Sequence, residues 1–143
     1  MKKIFSVLMI AFFAAQAFAF TSADEKKNDG SGFAPADKKV EVYYFHNERR
    51  CATCEAVESE TKKALEEYYS DKMKAGTITF LSVNIEEETN EALAEKLGVS
   101  GQTLLFISGE QKVDLTNDAF MYAQTKPEKL KKEIRKTVDE FLK

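Results

Sequence analysis

The sequence predicts an α/β domain: a four-stranded mixed sheet flanked by helices on both faces. Three observations carry this expectation. Runs of β-branched and aromatic residues alternate with stretches whose apolar residues recur every three or four positions. The only two cysteines, Cys51 and Cys54, stand at C-x-x-C spacing between the first strand-like run and the first helix-like run. Thr103–Ile107 is short and almost wholly apolar, as strands buried on both faces are.

Each element has its own signal. Val40–Phe45 (VEVYYF) is rich in β-branched and aromatic residues and reads as a strand. His46–Arg50 is a polar loop. From Cys54 to Met73, Cys54, Val57, Thr61, Ala64, Leu65 and Tyr68 form one apolar stripe, with Glu55, Glu58, Glu60, Lys62, Lys63 and Glu66 on the other face. Thr77–Asn84 reads as a second strand. Thr89 is placed to cap a short helix through Ala92, Leu93 and Leu97, and Gly98 suits its end. After Thr103–Ile107, a turn at Ser108–Gln111 leads into a returning strand, Lys112–Leu115. Pro127 opens a last helix with Leu130, Ile134, Val138 and Phe141 on one face. The order is β-α-β-α-β-β-α. Crossover helices between the first three strands imply parallel or mixed pairing, and the hairpin adds an antiparallel edge.

The N-terminus reads as a secretion signal, residues 1–19. Lys2 and Lys3 precede an apolar run, Ile4–Ala15, interrupted only by Ser6, and Ala17-Phe18-Ala19 is a small-x-small cleavage site. The run is shorter than the roughly 20 apolar residues of a comfortable span. The alternative is an uncleaved N-terminal anchor. Residues 20–39, mostly Ser, Gly, Ala, Asp and Lys, read as a flexible tether, and 40–143 as the folded domain. The formal net charge is −3 and becomes more negative once Lys2 and Lys3 leave, which argues against nucleic-acid or anionic-membrane partners. No later apolar run is long enough to span a membrane. The expectation is therefore an exported, monomeric protein of a bacterial periplasm or cell envelope.

Export implies oxidising surroundings, where paired cysteines are commonly structural. A ring enclosing only Ala52 and Thr53 removes little chain entropy, so a stapling role is weak here. A redox pair is the stronger reading. At the start of a helix, free N–H groups favour an anion, and Arg49 and Arg50 add positive charge, so Cys51 is placed where its thiolate is favoured. Glu48 and Glu55 oppose this. A solvated pair of loop cations is the plain alternative for Arg49 and Arg50. His46 is a loop residue, a proton carrier near the thiols, or a ligand with both cysteines for a soft ion such as Cu(I). One His and two Cys fall short of a four-ligand structural zinc site. Glu86-Glu87-Glu88 reads as a solvated loop. No phosphate loop, nucleophile elbow or flavin or nicotinamide fingerprint is present, and no cofactor is expected.

From Val40 to Lys143 the chain resembles the thioredoxin-like superfamily. The likeness rests on strand, then Cys51-Ala52-Thr53-Cys54, then helix, and on Leu97-Gly98-Val99-Ser100-Gly101-Gln102-Thr103-Leu104-Leu105-Phe106. Tyr43–Cys54 is also similar to small exported bacterial proteins described as nitroaryl nitroreductase subunits. The superfamily pattern implies that Cys51 attacks and Cys54 resolves, with Gly101, Gln102 and Thr103 in the loop that meets the substrate. Two departures stand out. Gln102 occupies the position where thioredoxins carry a cis-proline, and Tyr44 the position of a buried acid on the first strand.

The expected function is thiol–disulfide exchange with a protein partner, a thiol or disulfide substrate or an envelope redox protein. Two alternatives come from other classes: a soft-metal carrier using Cys51, Cys54 and His46, and a non-catalytic subunit whose fold docks a partner.

Overall fold

The structure is a computed structural model and describes residues 38–143. The expected leader and nearly all of the tether lie outside the described residues. Lys38 and Lys39, at the tether's end, are exposed and irregular.

The elements run β1 (Val40–His46), α1 (Ala52–Lys74), β2 (Ile78–Asn84), α2 (Glu88–Leu97), β3 (Thr103–Ser108), β4 (Gln111–Asp114), α3 (Thr116–Tyr122) and α4 (Pro127–Phe141). The sheet order is β2-β1-β3-β4. β1 pairs with β2 in parallel, Val40 opposite Ile78, and antiparallel with β3, Tyr44 opposite Leu104. β3 and β4 form the antiparallel hairpin.

The period of two along the central strands divides the core. Val40, Val42 and Tyr44 of β1 join Leu104 and Phe106 of β3 on one face, under α1, α3 and α4. Tyr43 and Phe45 join Leu105 and Ile107 on the other, under Ala94 of α2 with Leu93 and Leu97 beside it. Helices on both faces explain why β1 and β3 largely lack a polar alternation: apart from Glu41 and the strand ends, both faces of these strands are buried.

The helices follow their stripes. Cys54, Val57, Thr61, Ala64 and Leu65 are buried along α1. Leu130, Ile134, Val138 and Phe141 are buried along α4. Gly98 ends α2 at φ 72°, in the left-handed region, where a side chain would be strained.

Four details differ from the sequence reading. α1 begins at Ala52, before Cys54, because the Cys51 side chain itself caps it. Its stripe ends on Tyr69 rather than Tyr68. Tyr69 leaves helical geometry (φ −136°, ψ 24°), and the break turns its ring inward, where the hydroxyl donates to Asp139 Oδ1 at 2.6 Å. Thr89 does not cap α2: Glu87 holds the cap position with no side-chain bond to the free N–H groups of the first turn, and Thr89 lies in that turn, where Glu88 and Glu91 favour the helix dipole instead. Finally, α3 had no counterpart in the reading. It is only seven residues, too short for a periodic signal, and is held by burial of Ala119 and by the Leu115 and Ala123 flanks.

Candidate redox site

Cys51 occupies the N-cap of α1 with extended backbone (φ −99°, ψ 160°), and its Sγ accepts the Cys54 N–H at 3.1 Å. A side-chain acceptor at this position satisfies one of the free N–H groups of the first turn. Cys51 and Cys54 are joined as a disulfide, with Cα atoms 5.0 Å apart. The two sulfurs are unequal in access. Cys51 is exposed, whereas Cys54 is 1% exposed on the buried stripe.

A parallel β1–α1–β2 crossover, an antiparallel β3–β4 hairpin and a C-x-x-C pair capping α1 now stand together. The fold is thioredoxin-like. No protein-family model matches the chain, and no curated protein matches it. Among solved structures, the germline-specific thioredoxin Deadhead of Drosophila melanogaster is 22% identical, over 70% of this chain and 82% of that one, with a TM-score of 0.45. A structure described as a malarial protein is 22% identical, over 59% of this chain and 94% of that one, with a TM-score of 0.40. Likeness at this level is one of outline, and no residue role is carried across from either.

The thioredoxin-like frame delivers the other expected residues to different places. Arg49 is exposed. Arg50 turns away from solvent. Its guanidinium pairs with Glu58 of α1 and lies over the Tyr44 ring, 5.7 Å from the centroid. Arg50 therefore compensates Glu58, which the sequence reading had assigned to the solvated face of α1. Its charge is shared with that carboxylate before it reaches Cys51. Beneath it Tyr44 is fully buried, and its hydroxyl has no hydrogen-bond partner among the described residues; nor has Arg50 Nε. Burial pushes the Tyr44 hydroxyl up to about 12; the Arg50 charge pulls it down, Glu58 pushes it up, and a weaker pull comes from the Arg50 guanidinium as a hydrogen-bond donor, which lies beyond good hydrogen-bond geometry and leaves the hydroxyl without a close partner. Tyr44 is thus a neutral phenol at ordinary pH. An open cavity of about 280 Å³ flanks this side, lined by Arg50, Glu55, Glu58, Ser59 and Lys62.

His46 closes β1 half-buried. Its Nδ1 lies 2.8 Å from the Asn47 carbonyl oxygen, so Nδ1–H donates there and Nε2 is left as the acceptor. The ring lies tilted against Tyr44, centroids 5.9 Å apart and planes at 34°. Among the described residues, with Cys51 and Cys54 joined as a disulfide, no three His, Cys, Asp or Glu side chains are grouped closely enough to hold a metal ion. The loop that carries Arg49 and Arg50 is fastened from the neighbouring loop after β2: the Glu48 N–H donates to Glu86 Oε2 at 3.0 Å. The first glutamate of the acidic run is therefore a loop clasp.

On the opposite side of the pair, Gly101, Gln102 and Thr103 lead into β3. Thr103 Oγ1 donates to the Gly101 carbonyl at 3.1 Å, and Thr103 is in register with Phe45 of β1. This fixes the backbone that presents Gln102, whose Oε1 lies 3.4 Å from Cys54 Sγ. Gln102 thus does face the redox pair, through the buried sulfur. Sequence reasoning missed Glu58. The available signal was its spacing of one helical turn from Cys54, which puts it beside the site rather than away from it.

Proposed function

We propose that the chain is a thiol–disulfide oxidoreductase that exchanges disulfides with a protein partner through Cys51 and Cys54. The observation that carries this is the asymmetry of the pair: an exposed sulfur at a helix N-cap, joined to a sulfur that is 1% exposed. A stapling disulfide has no use for one open end, whereas an exchanging one needs it.

In the reducing direction the Cys51 thiolate attacks a partner disulfide. One Cys51–partner S–S bond forms, and the partner's other sulfur leaves as a thiolate. Cys54, having lost its proton, then attacks Cys51 Sγ, re-forming the Cys51–Cys54 bond and releasing the second partner sulfur. Two electrons pass from the dithiol to the partner, and the two thiol protons end on the partner's sulfurs. The oxidising direction is the reverse. The N–H groups at the head of α1 stabilise the anion that Cys51 becomes at each turn.

The basic-then-apolar start of the chain, with its Ala17-Phe18-Ala19 site, supports an exported location in a bacterial periplasm or cell envelope. Among the described residues no helix is long and apolar enough to cross a membrane. The net charge of −3 favours a protein partner over nucleic acid.

Reduction of insulin disulfides by the dithiothreitol-recycled protein tests the activity. Turnover that disappears in Cys51→Ser, with mixed disulfides trapped in Cys54→Ser, is the expected result. No turnover, together with no trapped species, would overturn the exchange reading and leave a docking role.

A further inference from the structure

The contact between Gln102 and the buried sulfur has a chemical use. Cys54 is 1% exposed, and apolar Val57 and Leu65 continue its stripe. A thiolate in such surroundings is disfavoured. Resolution of a mixed disulfide nonetheless needs Cys54 as a thiolate. Its own backbone N–H is spent on Cys51 Sγ. Among the described residues, the Gln102 side chain is the one polar side-chain group seen against Cys54 Sγ apart from Cys51. In the disulfide Cys54 carries no hydrogen, so the 3.4 Å approach of Oε1 is a contact rather than a hydrogen bond.

We infer that Gln102 is the polar partner of the resolving sulfur, serving it in both protonation states. A carboxamide carries an acceptor and a donor on one rotatable group. Its carbonyl accepts from the Cys54 thiol, and after rotation about the last side-chain bond its NH₂ donates to the thiolate. Proline, with no side-chain donor or acceptor, provides neither. A carboxylate would accept from the thiol and repel the thiolate. The backbone on either side of Gln102 is set by the Thr103–Gly101 bond and the β1–β3 register, and from it the half-buried side chain reaches the sulfur. Gln102 thereby acts on the second step of exchange and not on the first. This rests on the exchange reading of the Cys51–Cys54 pair.

The test uses the reduced full domain and 5,5′-dithiobis(2-nitrobenzoate), followed by stopped-flow absorbance. Attack by Cys51 on the reagent forms a Cys51–aryl disulfide and releases the first aryl thiolate. Cys54, after losing its proton to solvent, displaces the second and closes the Cys51–Cys54 bond. Each step gives one chromophore, so the two phases report the two cysteines separately. Gln102→Leu, which keeps the volume and removes the amide, is expected to leave the first phase within about twofold and to slow the second by roughly tenfold or more, as loss of a hydrogen bond to a charged group does. Gln102→Glu, nearly isosteric, is expected to slow the second phase further still. Should Gln102→Leu fail to fold, the glutamate variant alone decides. An unchanged second phase in the folded variants overturns the inference. So does equal slowing of both phases, which would make Gln102 a docking or structural residue. The reagent needs no natural partner, so failure of insulin turnover and failure of this inference are read apart.

Discussion

Replacing Tyr44 by Phe should make the protein more stable, and increasingly so as the solution becomes alkaline. Tyr44 is fully buried between the sheet and α1, and its hydroxyl has no hydrogen-bond partner among the described residues. A hydroxyl buried in this way costs about 1–3 kcal/mol by protein mutational data. The ring packing and the Arg50 guanidinium above it persist in Phe, so only the hydroxyl is removed. Taking the low end, Tyr44→Phe gains about 1 kcal/mol near pH 7, or about 4 °C in Tm for a domain of this size. The pH dependence has a definite sign. The phenol titrates near 10 when unfolded and is pushed up to about 12 by burial in the fold. The fold prefers the neutral phenol, so this stability is whole below pH 10 and is lost as pH rises from 10 through 12. At pH 11 the loss is about 1.4 kcal/mol, the free energy of one pH unit. The gap between the two proteins therefore widens from about 1 to about 2.4 kcal/mol. Tyr69 is also raised, by burial and by its bond to Asp139, but both proteins carry it, so the difference isolates Tyr44. Urea unfolding of the oxidised proteins at pH 7 and pH 11 reads both numbers. A less stable variant at pH 7 would refute the reasoning, because it would mean that the hydroxyl is satisfied. A gap that does not widen by pH 11 would refute the burial account of its titration.

Glu58→Gln should destabilise by about 1 kcal/mol in the same assay. Both side chains of the Arg50 pair are 24% exposed, between the regime of exposed pairs and that of buried ones, and a change within a few tenths would show the pair to be idle. In the reduced protein iodoacetamide should alkylate Cys51 well before Cys54 at pH 7, because one sulfur is exposed and the other is 1% exposed; equal rates by mass spectrometry would contradict the proposed roles. Gly98→Ala should cost about 1 kcal/mol, read from the thermal midpoint, because φ there is 72°; an unchanged midpoint would mean that α2 ends otherwise in solution.

Most of the fold could be read from the chain because its signals are local and strong. VEVYYF carries β-branched and aromatic residues in succession, and both of its faces are buried. The stripes of α1 and α4 repeat over several turns, which is where a period of 3.6 becomes distinguishable from noise. The misses fall where those conditions fail. α3 has seven residues and one fully buried side chain within its span, Ala119. The Tyr69 break sits inside a continuous helical pattern, so the shift of the stripe by one residue depends on Asp139, 70 positions away. A tertiary bond of that kind has no counterpart in sequence spacing.

The candidate site divides along the same line. Cys51 and Cys54 were legible because their spacing and the stripe that follows place them on a helix start, whereas Gln102 was singled out only by the resemblance, as the residue at the cis-proline position. Arg50 was legible as a cation but not in its direction. A five-residue loop leaves the side chain free to point to the sulfur or to the core, and the choice depends on Glu58 and on the flat face of Tyr44. Tyr44 also changes what the site must do. In the thioredoxin pattern that position holds a buried acid. Here that position holds a phenol raised to about 12, which does not accept a proton at neutral pH. Under the proposed exchange, Cys54 loses its proton without help from Tyr44. The residue against that sulfur is Gln102, a neutral donor and acceptor. Under the proposed exchange, then, Tyr44 offers Cys54 no base from beneath the sheet, and the polar group set against its sulfur is the Gln102 amide on the facing loop.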